Sequence, residues 1–216
     1  MKKYYLGLML ILAAVMVGCV GQIKTLADVV ALSAKNTNYK YQQIDPANPS
    51  ESTEIFFKDG KVKIKSPIGD TYIDQAANRL YAGSSQEALQ NIFIFSDIPT
   101  QLQEFLKYNL VIPVNQLDIS KTYLKKEKIG DKDTFVFELL DAQEEYDYTT
   151  TVWFWDENGL PVQFRITNNT TGNSIDIQVQ NIEFGVVTDD DVTVPATARL
   201  LDSTQAIPED LINNNQ

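Results

Sequence analysis

The chain has 216 residues, of which 44% are hydrophobic, enough for one domain with a sizeable core and too few for two comfortable ones. Its formal charge of −11 argues against nucleic-acid backbones and anionic headgroups as partners. Histidine is absent and cysteine occurs once, which removes Ser-His and Cys-His nucleophile pairs, the usual zinc ligands and any intrachain disulfide.

The first segment is basic at Lys2 and Lys3, apolar from Tyr4 to Val17 and small at Gly18, the pattern of a secretion signal. It is shorter than the roughly 20 residues that span a bilayer comfortably, so removal is expected rather than retention. Met16-Val17-Gly18-Cys19 then resembles the lipobox of prokaryotic lipoproteins, although leucine is commoner at the place of Met16. The resemblance implies a diacylglycerol on the Cys19 thiol and cleavage just before it. Two acyl chains, at about 0.8 kcal/mol per buried methylene, hold a protein stably on a membrane. The alternatives are a plain signal peptide with an incidental cysteine and an uncleaved signal anchor. The expected organisation is a signal over 1–18, a lipidated N-terminus and tether over 19–22, a domain over 23–201 and a polar tail over 202–216.

Within the domain, Ile23, Leu26, Ala27, Val30 and Ala34 share a stripe that predicts an amphipathic helix from Ile23 to Lys35. From Tyr39 the period changes to two. Lys61-Val62-Lys63-Ile64-Lys65 alternates strictly and Asp59-Gly60 before it is a hairpin signal, so Thr53 to Lys58 and Lys61 to Lys65 are expected to pair. Ile68 to Asp74 and Arg79 to Tyr81 form a second pair around Gln75-Ala76-Ala77-Asn78. Pro99, Leu102, Phe105, Leu106 and Asn109 predict a short helix from Pro99 to Tyr108, ended by Pro113. The preceding Ile92-Phe93-Ile94-Phe95 reads either as a buried segment or as part of a moving cover.

The strands Thr122 to Ile129, Thr134 to Leu140, Tyr146 to Trp155, Pro161 to Thr167 and Ser174 to Phe184 follow, with the short connections of an antiparallel meander. Phe135, Phe137 and Leu139, then Val162, Phe164 and Ile166, then Ile175, Ile177 and Val179 mark one buried face. In the strand ending at Trp155, Val152 and Phe154 face one way and Trp153 and Trp155 the other. The fold class is α+β: a single antiparallel sheet of about nine strands that curls without closing, with an N-terminal helix and a short middle helix over its concave face.

Acidic clusters at Glu144, Glu145 and Asp147 and at Asp189-Asp190-Asp191 lack the alternation of a calcium loop, and read as solvated loop charge. Asp156-Glu157-Asn158-Gly159 lies between two strands and reads as a turn. Ser66 beside Lys65 or Lys63 is too ordinary a pairing for a His-independent hydrolase. No catalytic residue, metal or cofactor is expected. Asn168 and Asn169 begin two overlapping glycosylation sequons, a pattern common by chance, on an expected surface turn.

The segment from Trp153 to Val162, the run into Asn181-Ile182-Glu183-Phe184-Gly185 and the later Val192-Thr193-Val194-Pro195 resemble LolA-like lipoprotein-sorting proteins, and Lys128 to Phe137 is similar to a glycine-containing hairpin of that family. The resemblance runs from Ile23 to Pro195 and rests on patterns, not on a catalytic motif. It implies an unclosed barrel whose apolar interior accepts acyl chains or a lipidated protein. The positions expected to line it are Val62, Ile64, Leu102, Phe105, Phe135, Phe137, Leu139, Val152, Phe154, Val162, Phe164 and Ile166. The family carrier's cavity arginine has no counterpart, because Arg79, Arg165 and Arg199, the only arginines, stand in no matching motif. The expected function is that of a non-enzymatic envelope lipoprotein, anchored to the outer face of the cell membrane or to an outer membrane, acting in lipoprotein sorting or transfer. The alternative is a sensor or interaction module of the same fold, with a packed interior and a membrane-protein partner.

Overall fold

The computed structural model describes residues 25–86, 89, 91–106, 119–141 and 148–204. Its first helix begins at a reciprocal cap. The Thr25 amide and hydroxyl donate to Asp28 Oδ2 at 3.0 and 2.8 Å, and the Asp28 amide donates back to Thr25 Oγ1 at 3.3 Å. That cap makes Thr25 the residue before the helix, so α1 spans Leu26–Ser33 and is shorter than the expected Ile23 to Lys35. Leu26, Val29 and Ser33 are its buried side, while Ala27 and Ala34 of the expected stripe are exposed. Ile23 lies outside the described residues.

Twelve strands form one sheet. They are β1 (Asn38–Ile44), β2 (Thr53–Lys58), β3 (Lys61–Ser66), β4 (Gly69–Asp74), β5 (Arg79–Gly83), β6 (Ile92–Asp97), β7 (Ile119–Ile129), β8 (Lys132–Asp141), β9 (Tyr148–Trp155), β10 (Pro161–Asn168), β11 (Ser174–Phe184) and β12 (Arg199–Asp202). A second helix, α2 (Thr100–Leu106), follows β6. The spatial order is β12-β6-β5-β4-β3-β2-β1-β11-β10-β9-β8-β7, so two meanders are joined where β1 pairs with both β2 and β11. All pairings are antiparallel except that of β12 with β6. Among the described residues β12 and β7 do not meet, which leaves the sheet unclosed.

The expected hairpins form where turn chemistry demanded them. Asp59 and Gly60 take φ of 47° and 81° between β2 and β3, as a tight two-residue turn requires. Ile92 to Phe95 proves to be part of a strand, with Ile94 opposite Ala82 and Phe93 opposite Gly83. Gly83 has no room for a side chain, because a Cβ there would stand 2.5 Å from the Phe93 ring.

The sheet is apolar on both faces over part of its width. One face, called inner because both helices lie on it, carries the main core: Leu26 and Val29 of α1, Leu106 of α2, and strand residues from Ile73 in β4 to Leu139 in β8. The outer face has a smaller cluster of Val136, Trp153 and Val162. There Trp153 Nε1 donates to Glu127 at 3.0 Å, which holds that carboxyl below its usual range. Arg165 makes two bonds to Asp176, at 2.7 and 2.8 Å.

Elsewhere the outer face is covered by the chain that follows β11. Asn38 acts as a side-chain extension of the ladder: its Nδ2 donates to the Val187 carbonyl at 2.9 Å, and its Oδ1 accepts from the Val187 amide at 3.0 Å. Val187 and Val192 are buried beneath the segment. In the Asp189-Asp190-Asp191 run, expected as solvated loop charge, Asp189 and Asp190 are exposed. Asp189 lies 3.0 Å from Lys58. The Asp191 carboxyl accepts from Thr188 and is thereby held below its usual range, with Lys63 and Lys40 adding to the effect. Asn38→Ala is expected to cost about 1–3 kcal/mol by orphaning both Val187 groups. A loss below about 0.5 kcal/mol in urea unfolding would mean that Val187 and Val192 hold the segment alone.

Candidate functional site

The covers of the inner face gather at one end of the strands. There the Asp59 amide donates to Thr37 O at 2.8 Å and the Gln75 amide to Gly60 O at 3.2 Å. Asn36, just after α1, donates through Nδ2 to Asn158 O at 2.9 Å. Gln103 of α2 donates through Nε2 to Asn78 Oδ1 at 2.9 Å and to Ile98 O at 3.1 Å. Both helices thus meet the β2–β3, β4–β5 and β9–β10 turns and close that end. The fully buried Leu160 fills the space beneath.

Moving from this closed end, the floor is filled. Phe135, Phe137, Leu139, Val152, Phe154, Phe164 and Val62 are buried in a single cluster, and Ile64, Leu102 and Ile166 pack against it half-buried. Phe137 and Phe154 meet edge to face at 5.9 Å. Phe105 belongs to α2, but its side chain lies outside the described residues. Val162 departs from the expected pattern. β10 carries one extra residue between Pro161, opposite Phe154, and Gln163, opposite Trp153. This bulge turns Val162 onto the outer face with Val136 and Trp153, away from Phe164 and Ile166.

Toward the other end the inner face opens. A cross-strand row runs Ile64, Thr71, Ala82, Ile94 and Leu201, each opposite the next, from the core to the β12 edge. Ile94 is 43% exposed on this row. On the other half of the sheet Ile175, opposite Ile166, is 57% exposed although its strand face is that of the buried Val179. The open end therefore presents apolar side chains continuous with the core. At the closed end, beside α2, Gln75, Asn78, Ile98, Gln103 and Leu106 border a shallow groove of about 480 Å³ that is open to solvent.

Among the described residues no charged side chain is buried. Burial pushes the hydroxyls of Tyr39 and Tyr41 up, so both stay neutral at ordinary pH. The residues considered for hydrolysis are engaged elsewhere: Ser66 Oγ donates to Gly69 O at 2.9 Å, Lys63 pairs with Asp70 at 2.9 Å and Lys65 with Glu54 at 2.8 Å. Among the described residues no group of three His, Cys, Asp or Glu side chains is placed to hold a metal. No helix among them is long and apolar enough to cross a membrane. Asn168 and Asn169 stand at the β10–β11 turn, where their Oδ1 atoms accept from the Thr171 amide at 2.8 Å and the Thr149 hydroxyl at 3.0 Å. Cys19, the acidic cluster at Glu144, Glu145 and Asp147, and the tail beyond 204 lie outside the described residues.

The open-end row is only partly readable in the sequence. Ile94 belongs to a conspicuous apolar run, but Thr71 and Ala82 break the pattern, and β12 is a four-residue strand paired in parallel with no turn to announce it.

Neither a protein-family model nor a curated protein matches the chain. Among solved structures it is similar to an uncharacterized conserved protein from Thermus thermophilus, with a TM-score of 0.57 at 9% identity over 82% of this chain and 98% of that one. It is also similar to the MucA/MucB complex structure of Pseudomonas aeruginosa, with a TM-score of 0.49 at 14% identity, covering 82% of this chain and 63% of that one. A LolA superfamily protein from Nitrosomonas europaea is similar at 10% identity and a TM-score of 0.34, over 78% of this chain and 97% of that one. The likeness to the Thermus thermophilus protein, at 9% identity, concerns the fold alone. The chain has the single, unclosed and almost wholly antiparallel sheet expected from the sequence.

Proposed function

We propose that this chain is a non-enzymatic, lipid-anchored envelope protein that takes acyl chains, or the lipid part of a lipidated protein, through the open end of its curled sheet. The observation that carries the reading is the exposure of Ile94, on the row that runs from the core to Leu201, and of Ile175 across the sheet, on the face whose core the helices close at the opposite end. Each Å² of this surface removed from water by an acyl chain contributes about 25 cal/mol. The site differs from the set expected from sequence: most of those residues form its packed floor, and the ligand lies above them. The lipobox resemblance at Met16 to Cys19 fits the same reading, since an acylated Cys19 would hold the domain where acyl chains are abundant.

Mass spectrometry of the protein extracted from membranes tests both parts. The expected result is loss of residues 1–18, a diacylglycerol on Cys19 and a co-purifying acyl lipid, together with uptake of a fluorescent fatty-acid ester by the purified protein. Ile94→Lys combined with Ile175→Lys should abolish uptake while changing stability by less than about 0.5 kcal/mol per site. Protein that is always empty and takes up nothing would sink the reading. A second reading, an interaction module with a packed interior, is favoured by one observation: Phe137, Phe154 and Phe164 are fully buried within one cluster. It predicts no uptake in either protein.

A further inference from the structure

Tyr41 stands in the middle of β1, 3% exposed, its ring stacked on that of Tyr39 at 6.1 Å with 9° between the planes. It belongs to the inner cluster, whose other members are apolar side chains and Tyr39. Its hydroxyl has no hydrogen-bond partner among the described residues. An unsatisfied buried donor is costly, so phenylalanine would serve an empty core better. The backbone beside it is also irregular. Between Lys40 and Gln42 the ladder with β11 shifts register, and Asn181 in β11 takes a φ of 53°. Such bulges bend a strand and re-aim the side chains next to them. Gln43 follows Tyr41 on the same face, one step nearer the open end and only half-buried. Its side chain lies near enough to the Tyr41 hydroxyl to oppose the rise in the phenol's pKa, but outside hydrogen-bond geometry; burial prevails and the phenol remains a donor.

We infer that the Tyr41 hydroxyl donates a hydrogen bond to the neutral carbonyl of an acyl ester or amide whose chain occupies the open end of the inner face, with Gln43 as the adjoining polar contact. The inference rests on the acyl-binding reading and adds the ligand's polar group to it. The carbonyl is neutral because no charged side chain is buried among the described residues, and an ionised carboxylate there would be desolvated without a counter-charge. One donor within an otherwise apolar wall orients a ligand, which apolar contact alone cannot do.

The test compares the full-length protein with its Tyr41→Phe variant, which keeps the ring and its stacking. Monopalmitoylglycerol supplies an ester carbonyl and hexadecane supplies the chain alone. Titration calorimetry should show ester affinity falling about three- to tenfold in the variant, the equivalent of one net hydrogen bond, with hexadecane affinity unchanged. The ligand-free variant should melt at the same temperature or higher, which separates lost recognition from lost folding. Equal ester affinity in the two proteins, with both ligands bound, overturns the assignment of Tyr41 and leaves the acyl-binding reading standing. Wild-type protein that binds neither ligand overturns both.

Discussion

Gly159→Ala is expected to destabilise the protein by about 2–5 kcal/mol, whereas Gly172→Ala should cost only about 1–2 kcal/mol. The two glycines have nearly the same backbone, φ 72° and 74°, in the β9–β10 and β10–β11 turns. A side chain at either carries the penalty of a left-handed conformation, about 1–2 kcal/mol. Only Gly159 adds a collision. A Cβ there would stand 2.5 Å from Val29 O and 2.8 Å from Ser33 N, both backbone atoms of α1, while at Gly172 nothing lies within 4 Å. Backbone cannot rotate aside, so α1 must lift from the turn. Lifting it breaks the Asn36 bond to Asn158 and uncovers Leu26 and Val29. Urea unfolding of the two variants separates backbone strain from helix docking. If they lose the same amount, α1 does not depend on this close approach and the closed end is held by other contacts.

That close approach also explains which parts of the molecule can be read from the sequence. The Asp59-Gly60 and Gly159 turns and the alternation in Lys61 to Lys65 and Phe135 to Leu139 are local signals, because a strand's period and a tight turn's φ are properties of a few neighbouring residues. The strands they bound lie nearly where those signals put them. Features set by distant partners are not legible. The buried side of α1 keeps Leu26 of the expected stripe but otherwise takes Val29 and Ser33, whose backbone lies against the Gly159 turn more than a hundred residues along the chain. Val162 alternates correctly with Phe164, yet the bulge opposite Phe154 and Trp153 sends it to the other face. The open end is obscured for a related reason. Its apolar row is assembled across strands from Ile64 to Leu201, and no single strand displays it.

Phe154→Ala is the variant expected to have the second large effect, and it bears on how deep the ligand site extends. Phe154 is 0% exposed, pairs edge-on with Phe137 and sits on a strand flanked by β8 and β10. Truncating a phenylalanine so enclosed removes its burial and leaves a cavity that the two neighbouring strands are too constrained to collapse, at a cost of about 3–5 kcal/mol. If the filled floor is core and the ligand lies above it, this full cost appears in ligand-free protein, and a small apolar molecule such as benzene recovers part of it by occupying the dry cavity. If Phe154 instead faced space kept for an acyl chain, the side chain would lack packing on one side and its loss would cost little. Thermal melts with and without benzene therefore decide the matter: a loss below about 1 kcal/mol, with no benzene effect, would extend the ligand site down to Phe154 and refute the packed floor.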